Sequence, residues 1–359
     1  MTDLTRIKAS GLSSYEVILG RGLLEYVDDS LPPSTRKVLL VYPETLESSA
    51  KVLVDELIAK GRLVWQFPVV DGEEAKTDRW LAVAWSSLGQ AEFSRSDAVI
   101  SLGGGTVTDL AGFIAATWLR GIAVIHIPTT LLAMVDAAIG GKTGINTKEG
   151  KNLVGAFHDP KAVLVDLDTL ETLPKAELGS GFAEIIKCGF ISDPEILSLI
   201  ESDVSAATDI HSERFKDLAL RAITTKVNVV AQDFKESNLR ESLNYGHTLG
   251  HAIESVEHFK IKHGHAVSIG MCFAAELGRL TGRLSAENAD RHQRILQLVG
   301  LPTKYTKAAW PAIYKAMQVD KKSRAGMLRF VILADLGKTT ILEAPTEDVL
   351  YQAFLEIAE

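Results

Sequence analysis

Residues that bind divalent metals are concentrated in the second half of the chain. His247 and His251 are four positions apart, and Glu184 and Lys187 are three apart, so each pair would share one side of a helix. A carboxylate with two imidazoles is a common ligand set for a divalent ion and leaves positions open for substrate oxygens. This half therefore predicts a metal site. The sequence does not identify which residues are the ligands, because five histidines lie within nineteen residues: His247, His251, His258, His263 and His265.

Cationic residues beside glycines mark the segment 128–157. Lys142 follows two glycines and Lys151 lies between Gly150 and Asn152, in a passage that is otherwise apolar. We interpret this passage as a loop that binds an anion, because such lysines are not typical of a solvated face. The alternative is a glycine-rich surface loop with ordinary lysines.

Two further cations fit the same hypothesis. Lys226 lies on or beside the apolar stripe of a helical pattern at 213–232, where a buried lysine is costly without an anionic partner. Arg240 comes just before the histidine-rich segment and is expected to point toward the metal site. Each could instead be a surface residue whose aliphatic part covers apolar groups.

The segment SLGGGTVTDLAGF (101–113) follows a strand pattern and opens a helical one. Its three glycines would let backbone N–H groups approach a phosphate, and the helix dipole would add to the attraction. Asp109 lies one turn inside that helix. Glu73 and Lys76 lie in an earlier loop after a strand and could bind ribose and phosphate. The alternatives are a tight turn that needs positive φ and, for the earlier loop, a solvated helix start.

The elements that must hold these residues differ between the two halves. In the first half short β-rich runs alternate with helical patterns, which is typical of a parallel sheet covered on both faces. The strands are expected at 37–42, 63–67, 97–102, 122–127 and 162–167, with helices from Pro43 to about Gly61, at 77–90 and at 105–119.

The second half is mostly helical. Helices are expected at 176–190, 194–203, 213–232, 245–257, 266–282 and 286–299, with one late strand at 328–334. A length of 359 residues is about 2.4 times a typical domain. We therefore expect an α/β domain with a parallel sheet at 1–173 and a mostly α-helical domain at 174–359, joined near 172–176. Sites often form in the cleft between two such domains.

Composition narrows the possible partners and the location. With 46% hydrophobic and 23% charged residues, the chain is neither collagenous nor disordered. A net charge of −8 repels nucleic acid and anionic membranes, so an anionic ligand needs a local basic cluster. We expect neither a signal peptide nor a membrane-spanning helix. Cys188 and Cys272 cannot make a disulfide framework, and we expect a cytoplasmic protein with neither nucleic-acid nor membrane partners.

These passages together resemble the 3-dehydroquinate synthase family of sugar-phosphate cyclases. The resemblance covers residues 71 to 335 and rests on six motifs in the expected order. The motifs are GGGxxxDLxGFxAAxxxRG, PTTLLxxVDxxxGGKTGIN, GKNxxGAF, AEIIKxG, LNYGHTxGHAIE and HGxAV. They cover the glycine-rich turn, the lysine-rich passage and the histidine-rich segments described above.

The resemblance implies a reaction and its cofactors. The family converts 3-deoxy-arabino-heptulosonate 7-phosphate to 3-dehydroquinate and phosphate. A hydroxyl is oxidised transiently by NAD, phosphate is eliminated, the ketone is reduced again, and ring opening is followed by an intramolecular aldol closure. A divalent ion, Zn²⁺ or Co²⁺, polarises a carbinol oxygen. The resemblance also implies a homodimer and a place in the shikimate pathway.

The resemblance further implies a role for each matching residue. The implied metal ligands are Glu184, His247 and His263. The implied NAD contacts are Glu73, Lys76, Gly104, Gly105, Thr106, Asp109, Thr129, Thr130, Asp136, Lys142, Lys151, Thr169 and Thr172. The implied substrate contacts are Lys142, Lys151, Asn152, Lys187, Lys226, Arg240, Asn244, Lys321 of the Asp320-Lys321-Lys322 run, and Arg120, which would reach the phosphate from the partner subunit. The implied catalytic residues are His251, which would handle the proton of the oxidised hydroxyl, with Asp136 near the nicotinamide, Lys142 and Asn152.

Some positions depart from the family pattern and leave other functions open. Ala137 and Ala138 stand where the family has serines, and His265 stands where it has a carboxylate. Tyr42-Pro43-Glu44 replaces a common Thr-Asp pair after the first strand. The alternatives are a cyclase acting on sedoheptulose 7-phosphate, a metal- and NAD-dependent polyol dehydrogenase, and a non-catalytic NAD-sensing module.

Overall fold

The computed structural model describes residues 4–234, 239–323 and 327–359, with the backbone alone at 319–323. Contacts divide the chain into two compact units, Met1–Leu173 and Pro174–Glu359. The first unit is built on a mostly parallel sheet, and the second is mostly helical. The predicted fold class is therefore confirmed.

Seven strands of the first unit form one sheet in the order β1-β2-β9-β6-β5-β3-β4. Only β1 is antiparallel to its neighbour. Two further strands, β7 and β8, form a separate antiparallel hairpin. The strands are β1 Thr5–Ser10, β2 Ser14–Gly20, β3 Lys37–Pro43, β4 Leu63–Val69, β5 Ala98–Gly103, β6 Ala123–Pro128, β7 Lys142–Thr147, β8 Gly150–Phe157 and β9 Ala162–Asp166.

Helices cover both faces of this sheet, because successive side chains of a strand point to opposite faces. Leu39 and Val99 pack in one apolar core and Leu40 packs in the other. The helices are α1 Val27–Ser30, α2 Glu47–Ala59, α3 Asp78–Gln90 and α4 Gly105–Thr117. Short 3-10 segments lie at Leu23–Tyr26, Glu44–Leu46, Gly72–Ala75, Trp118–Arg120 and Leu167–Thr172.

The strand order reverses between β3 and β5. From β3 the chain continues to β4 on one side and then returns to β5 on the other side of β3. In open parallel sheets, ligands bind outside the carboxyl ends of the strands at such a reversal. The glycine-rich turn follows β5 directly, so the fold puts it at this crevice.

The second unit packs its helices around α10, whose residues 266–278 are all buried. Gly264 and Gly270 allow this close packing. A Cβ on Gly264 would lie 1.9 Å from the Ser180 carbonyl oxygen, and one on Gly270 would lie 1.9 Å from that of Gly246. The elements are α5 Lys175–Ile191, α6 Glu195–Ser202, α7 Val204–Thr208, α8 Glu213–Gln232, α9 His247–Val256, α10 His263–Leu280, α11 Ala286–Leu298, α12 Trp310–Ser323, β10 Arg329–Asp335, β11 Lys338–Glu343 and α13 Glu347–Glu356, with 3-10 segments Leu239–Asn244 and Lys307–Ala309.

Three local predictions are wrong. The passage around Lys142 and Lys151 is the β7–β8 hairpin rather than a loop. Pro43 ends β3, and the next α-helix begins only at Glu47. The late strand at 329–335 is joined by a second strand in a hairpin. Within the described ranges, no helix is both long enough and apolar enough to cross a bilayer.

Candidate active site

Three helices of the second unit bring a carboxylate and two imidazoles together. Glu184 comes from the middle of α5, while His247 and His263 are the first residues of α9 and α10. Glu184 Oε1 lies 3.7 Å from His247 Nε2 and 3.5 Å from His263 Nε2. One ligand atom from each residue lies within 4.8 Å of the other two, a spacing that one metal ion can span.

The donor atoms fit a divalent cation. Glu184 is 1% exposed, and its Oε1 atom is buried without a hydrogen-bond partner among the described residues. A buried carboxylate oxygen without a partner is costly, and a bound cation would remove that cost. Two nitrogens and one oxygen suit Zn²⁺ and Co²⁺, with further positions left for substrate.

The electrostatics of the cluster favour a charged Glu184 and a neutral His247. Burial opposes ionisation of Glu184, but Lys187 and the two imidazoles hold the pKa of its carboxyl well below its usual range. Burial and the nearby Lys187 ammonium hold the pKa of His247 well below that of an ordinary imidazole. A neutral imidazole and an ionised carboxylate are the forms that bind metals.

His263 differs from His247 in its protonation. Burial opposes its charged form, but the neighbouring carboxylates of Glu184 and Glu254 raise the pKa of His263 to about 10. A metal ion that binds the ring must displace this proton. Metal binding at this ring therefore releases a proton.

The backbone orients His247. Its Nδ1 atom lies 3.0 Å from the carbonyl oxygen of Tyr245, so an Nδ1–H donor leaves Nε2 to face Glu184. Gly246 between them has a φ of 79°, a conformation that side chains strongly disfavour. A Cβ there would also lie 2.8 Å from the backbone nitrogen of Met271. The glycine in the sequence Tyr-Gly-His is therefore needed for this orientation.

The three remaining histidines of the segment 247–265 lie in different surroundings. His251 is exposed, and its ring centroid is 5.2 Å from that of His247 and 6.1 Å from that of His263. With Glu254 and His263 it forms a second group of donor atoms within 4.8 Å of one another. His258 and His265 belong to neither group among the described residues.

The predicted substrate-binding cations of this unit are largely buried. Lys187 is 2% exposed and forms an ion pair with Glu184 through Oε2, one turn away on α5. Lys226 and Arg240 are buried as well, and a guanidinium nitrogen of Arg240 donates to the Phe234 carbonyl at 2.6 Å. Asn244 ends the 3-10 segment before Tyr245 and is half-buried. The side chain of Lys321 lies outside the described residues.

In the first unit the glycine-rich turn lies at the carboxyl end of β5. Gly103 ends the strand, Gly104 precedes α4 and Gly105 is its first residue. A Cβ on Gly104 would lie 3.2 Å from Thr130 Cγ2, and one on Gly105 would lie 3.0 Å from Ala137 Cβ. The turn therefore leaves backbone atoms in a confined space at a helix N-terminus, which suits a pyrophosphate.

Charged and amide side chains gather beside this turn. Lys76 forms an ion pair with Asp109 of α4. Burial raises the pKa of Asp109, while Lys76 opposes that rise. Glu73 accepts a 2.5 Å hydrogen bond from the Asn146 side-chain amide and lies 3.5 Å from Lys151 Nζ. This polar edge fits the ribose and phosphate contacts that the sequence predicts.

Most other predicted cofactor residues of this unit lie at the same carboxyl edge of the parallel strands. Thr129 follows β6, and its N–H donates to the Gly103 carbonyl at 3.0 Å. Asp136 lies in the single π-helical turn Ala133–Ala137. The other predicted residues at this edge or on the hairpin beside it are Thr106, Thr130, Lys142, Asn152, Thr169 and Thr172.

Arg120 is the exception. It comes three residues before β6, so it lies at the amino end of a strand whose carboxyl end lies beside the glycine-rich turn. Its backbone has a φ of 67°, next to Leu119 with a φ of 47°. Two consecutive left-handed residues other than glycine are strained. Arg120 is exposed and lies at the opposite end of β6 from the dinucleotide turn.

Two residues of the site were not predicted from the sequence. Asn146 joins Glu73 through its side-chain amide and Asn152 through its side-chain oxygen, which accepts a backbone hydrogen bond at 3.1 Å. Glu254 contacts His263. Its position three residues after His251, on one face of a helix, is the signal that could have identified it.

Solved structures share this fold over nearly the whole chain. A 2-epi-5-epi-valiolone synthase from Streptomyces hygroscopicus subsp. jinggangensis, with NAD⁺ and Zn²⁺ bound, has a TM-score of 0.89 at 25% identity, covering 98% of this chain and 99% of that chain. A 2-deoxy-scyllo-inosose synthase with carbaglucose-6-phosphate, NAD⁺ and Co²⁺ has a TM-score of 0.88 at 24% identity, covering 98% and 100%. NADH-dependent butanol dehydrogenase A from Thermotoga maritima has a TM-score of 0.69 at 15% identity, covering 96% of each. The fold is thus that of cyclases and dehydrogenases of this architecture.

Sequence comparison then specifies the family within that class. Residues 66–180 match the model of the 3-dehydroquinate synthase N-terminal domain, and residues 181–323 match that of its C-terminal domain. Curated 3-dehydroquinate synthases from Pseudarthrobacter chlorophenolicus and Paenarthrobacter aurescens are 53% and 54% identical, each over 99% of this chain and 99% of the relative. The chain belongs to the 3-dehydroquinate synthase family.

Substitution of Gly104 by valine is expected to weaken NAD binding by roughly tenfold or more, about 1.4 kcal/mol. The new Cβ would press on Thr130, and the branched side chain would fill the space that the backbone leaves for a pyrophosphate. Titration of NAD against protein fluorescence measures the effect. Gly89→Val, in an exposed part of α3 with only an ordinary 3.6 Å contact, is the control. Equal affinity in the Gly104 variant and the parent would show that NAD binds elsewhere.

Proposed function

We propose that this protein converts 3-deoxy-arabino-heptulosonate 7-phosphate to 3-dehydroquinate and phosphate. This is the reaction for which its family is named. The observation that carries the proposal is 53% identity over 99% of the chain to a curated 3-dehydroquinate synthase. The buried Glu184, His247 and His263 donor set and the glycine-rich turn support it, because the reaction needs a divalent metal and NAD.

Bound NAD supplies a reversible hydride acceptor, and a bound Zn²⁺ or Co²⁺ supplies a Lewis acid that acidifies a substrate hydroxyl. Glu184, His247 and His263 would hold the ion. Gly104, Gly105 and the polar residues beside them would hold the dinucleotide, with Asp136 near the nicotinamide. His251 would take the proton of the hydroxyl that is oxidised. Its exposed ring beside the ligand histidines can exchange protons with solvent, as a general base requires.

The cationic side chains, together with two asparagine amides, would bind the anionic ends of the substrate. Lys142, Lys151 and Asn152 of the hairpin belong to the first unit, and Lys187, Lys226, Arg240 and Asn244 belong to the second. In the second unit, burial makes Lys187, Lys226 and Arg240 strong binding groups for a phosphate or carboxylate, because their charges are poorly solvated. The ion pair between Lys187 and Glu184 has a second role, since it holds the metal-binding carboxylate in its ionised form.

The substrate distinguishes this function from two alternatives of the same fold. A sugar-phosphate cyclase that acts on sedoheptulose 7-phosphate has a substrate without the carboxylate. A polyol dehydrogenase produces NADH and releases no phosphate. Purified protein supplied with metal and NAD should release phosphate from the heptulosonate phosphate and not from sedoheptulose 7-phosphate. Phosphate release from sedoheptulose 7-phosphate alone would instead support the cyclase alternative, and NADH formation from a polyol would support the dehydrogenase.

We further propose a homodimer in which Arg120 binds the substrate phosphate of the partner subunit. Its place at the amino end of β6 and its strained backbone support a role outside its own dinucleotide edge. Mixing Arg120→Ala chains with His263→Ala chains tests this by complementation. Random exchange of subunits should restore about a quarter of the parent activity, because half of the dimers then hold one intact site. If Arg120 acts within its own subunit, no dimer holds an intact site and activity will not recover.

A cytoplasmic location completes the proposal. Cys188 and Cys272 are both buried thiols, which is typical of a protein that folds under reducing conditions. Cell fractionation tests the location. An antibody to the chain should detect it in the cytoplasmic fraction and not in the periplasmic or secreted fraction.

A further inference from the structure

Glu254 contacts His263 through the ring nitrogen that does not face Glu184. Its Oε2 atom lies 3.3 Å from His263 Nδ1. The carboxylate belongs to α9, seven residues after His247, and only 7% of the residue is exposed. It is therefore a buried acidic group whose contact lies within the donor cluster.

The His263 ring is held between two carboxylates. Its Nε2 atom lies 3.5 Å from Glu184 Oε1, and its Nδ1 atom faces Glu254. An imidazole that binds a metal through one nitrogen usually donates the N–H of its other nitrogen to an acceptor, which fixes the tautomer and the plane of the ring. Glu254 stands where that acceptor is required.

His263 needs a stronger acceptor than His247 does. The His247 side chain is 10% exposed, and a neutral backbone carbonyl accepts its Nδ1–H. The His263 side chain is 27% exposed and lies at the first residue of α10, so less packing restrains its ring. A charged acceptor makes a stronger hydrogen bond than a neutral one, which suits the more exposed ligand.

The net charge of the cluster also indicates that a second carboxylate would favour binding of a divalent cation. Lys187 forms an ion pair with Glu184, so the charge of the ligand carboxylate is largely balanced before any ion binds. Without Glu254, a divalent cation would be surrounded by neutral imidazoles and by one carboxylate whose charge Lys187 already neutralises. Glu254, in contact with a ligand, adds a negative charge at the distance where it still attracts the ion.

We propose that Glu254 is a positioning residue of the metal centre, which accepts the Nδ1–H of His263 and thereby aims Nε2 at the ion shared with Glu184 and His247. The inference rests on the proposed metal centre and adds a residue to it. The competing arrangement has Glu254 as a ligand itself, together with His251 and His263, whose donor atoms also lie within 4.8 Å.

Metal affinity of the ion-depleted protein tests the proposal without any assay of turnover. Zn²⁺ affinity is measured by competition with a chromogenic chelator for the parent, Glu254→Ala and Glu254→Gln. The alanine variant should bind Zn²⁺ 10- to 100-fold more weakly, the usual effect of losing such a partner. The glutamine variant should recover part of that loss, because its amide oxygen can still accept the Nδ1–H. Glu276→Ala is the matched control, because Glu276 is 6% exposed and pairs with Arg279 on the same helix.

The visible spectrum of the Co²⁺-substituted protein separates positioning from ligation. If Glu254 only positions His263, the glutamine variant keeps the d–d bands of the parent, and His251→Ala keeps its metal. Loss of metal in Glu254→Ala and His251→Ala alike would assign the ion to the other donor group and overturn the proposal. Parent-like affinity in Glu254→Ala would overturn it as well.

Retention of metal by His263→Ala would instead show that the proposed metal centre is wrong. If the alanine variant does not fold, a loss of Zn²⁺ affinity in Glu254→Gln below the parent supports the proposal, and parent-like affinity in that variant overturns it.

Discussion

His263→Ala should lose its metal ion and its turnover together. The ring supplies one of three donor atoms within 4.8 Å, and its removal leaves Glu184 and His247 as a two-ligand site. Without the ion the substrate hydroxyl loses several kcal/mol of Lewis-acid stabilisation, so the rate should fall by roughly 10³-fold or more. Metal content after dialysis and phosphate release at saturating NAD measure the two effects.

His265→Ala is the control for this prediction. His265 lies two residues further along α10 and belongs to neither donor group among the described residues. Its variant should keep both metal and turnover. The reverse pattern, with metal lost from His265→Ala and kept by His263→Ala, would mean that the sequence motif was assigned to the wrong histidine.

His251→Ala should keep its metal but turn over about 10²- to 10⁴-fold more slowly, the usual cost of removing a general acid or base. The His251 ring lies one helical turn from His247, with 5.2 Å between the ring centroids, and it is exposed where the two ligand histidines are more buried. Such a ring would take the proton of the substrate hydroxyl and pass it to solvent.

His258→Ala is the matched control, because His258 is exposed in the same segment and lies in neither donor group. It should match the parent in metal content and rate. Rate and metal lost together in His251→Ala would make His251 a ligand and would contradict its role in proton transfer.

The fold was predictable where the sequence pattern repeats. Several parallel strands of the first unit are continuous apolar runs, such as AVISLG at 98–103, and such runs identify buried strands without reference to distant residues. The helix Glu213–Gln232 likewise begins and ends where the spacing of its apolar residues predicts. The strands β7 and β8 were missed because lysines and glycines interrupt their alternation, and only pairing across the hairpin stabilises them.

The candidate site was predictable in its residue types more than in its contacts. The spacing of histidines limited the ligands to one segment, but the choice among five depended on how α5, α9 and α10 cross. That crossing is set by Gly264 and Gly270, whose close contacts join residues far apart in the chain. Asn146 contacts Glu73, which lies far away in the chain, and local sequence carries no record of such a contact. The spacing of Glu254 from His251 indicates a shared helix face, but its contact with His263 of the next helix became visible only in the structure.

The most direct test of the proposed activity is the stoichiometry of NAD. The protein, loaded with Zn²⁺ or Co²⁺, is given heptulosonate phosphate in large excess over NAD, and phosphate and NADH are followed together. Because the hydride returns to the substrate in each cycle, we expect phosphate release to continue until the substrate is consumed, with no accumulation of NADH. Phosphate release that stops at the amount of NAD supplied, or NADH that accumulates as substrate disappears, would contradict it.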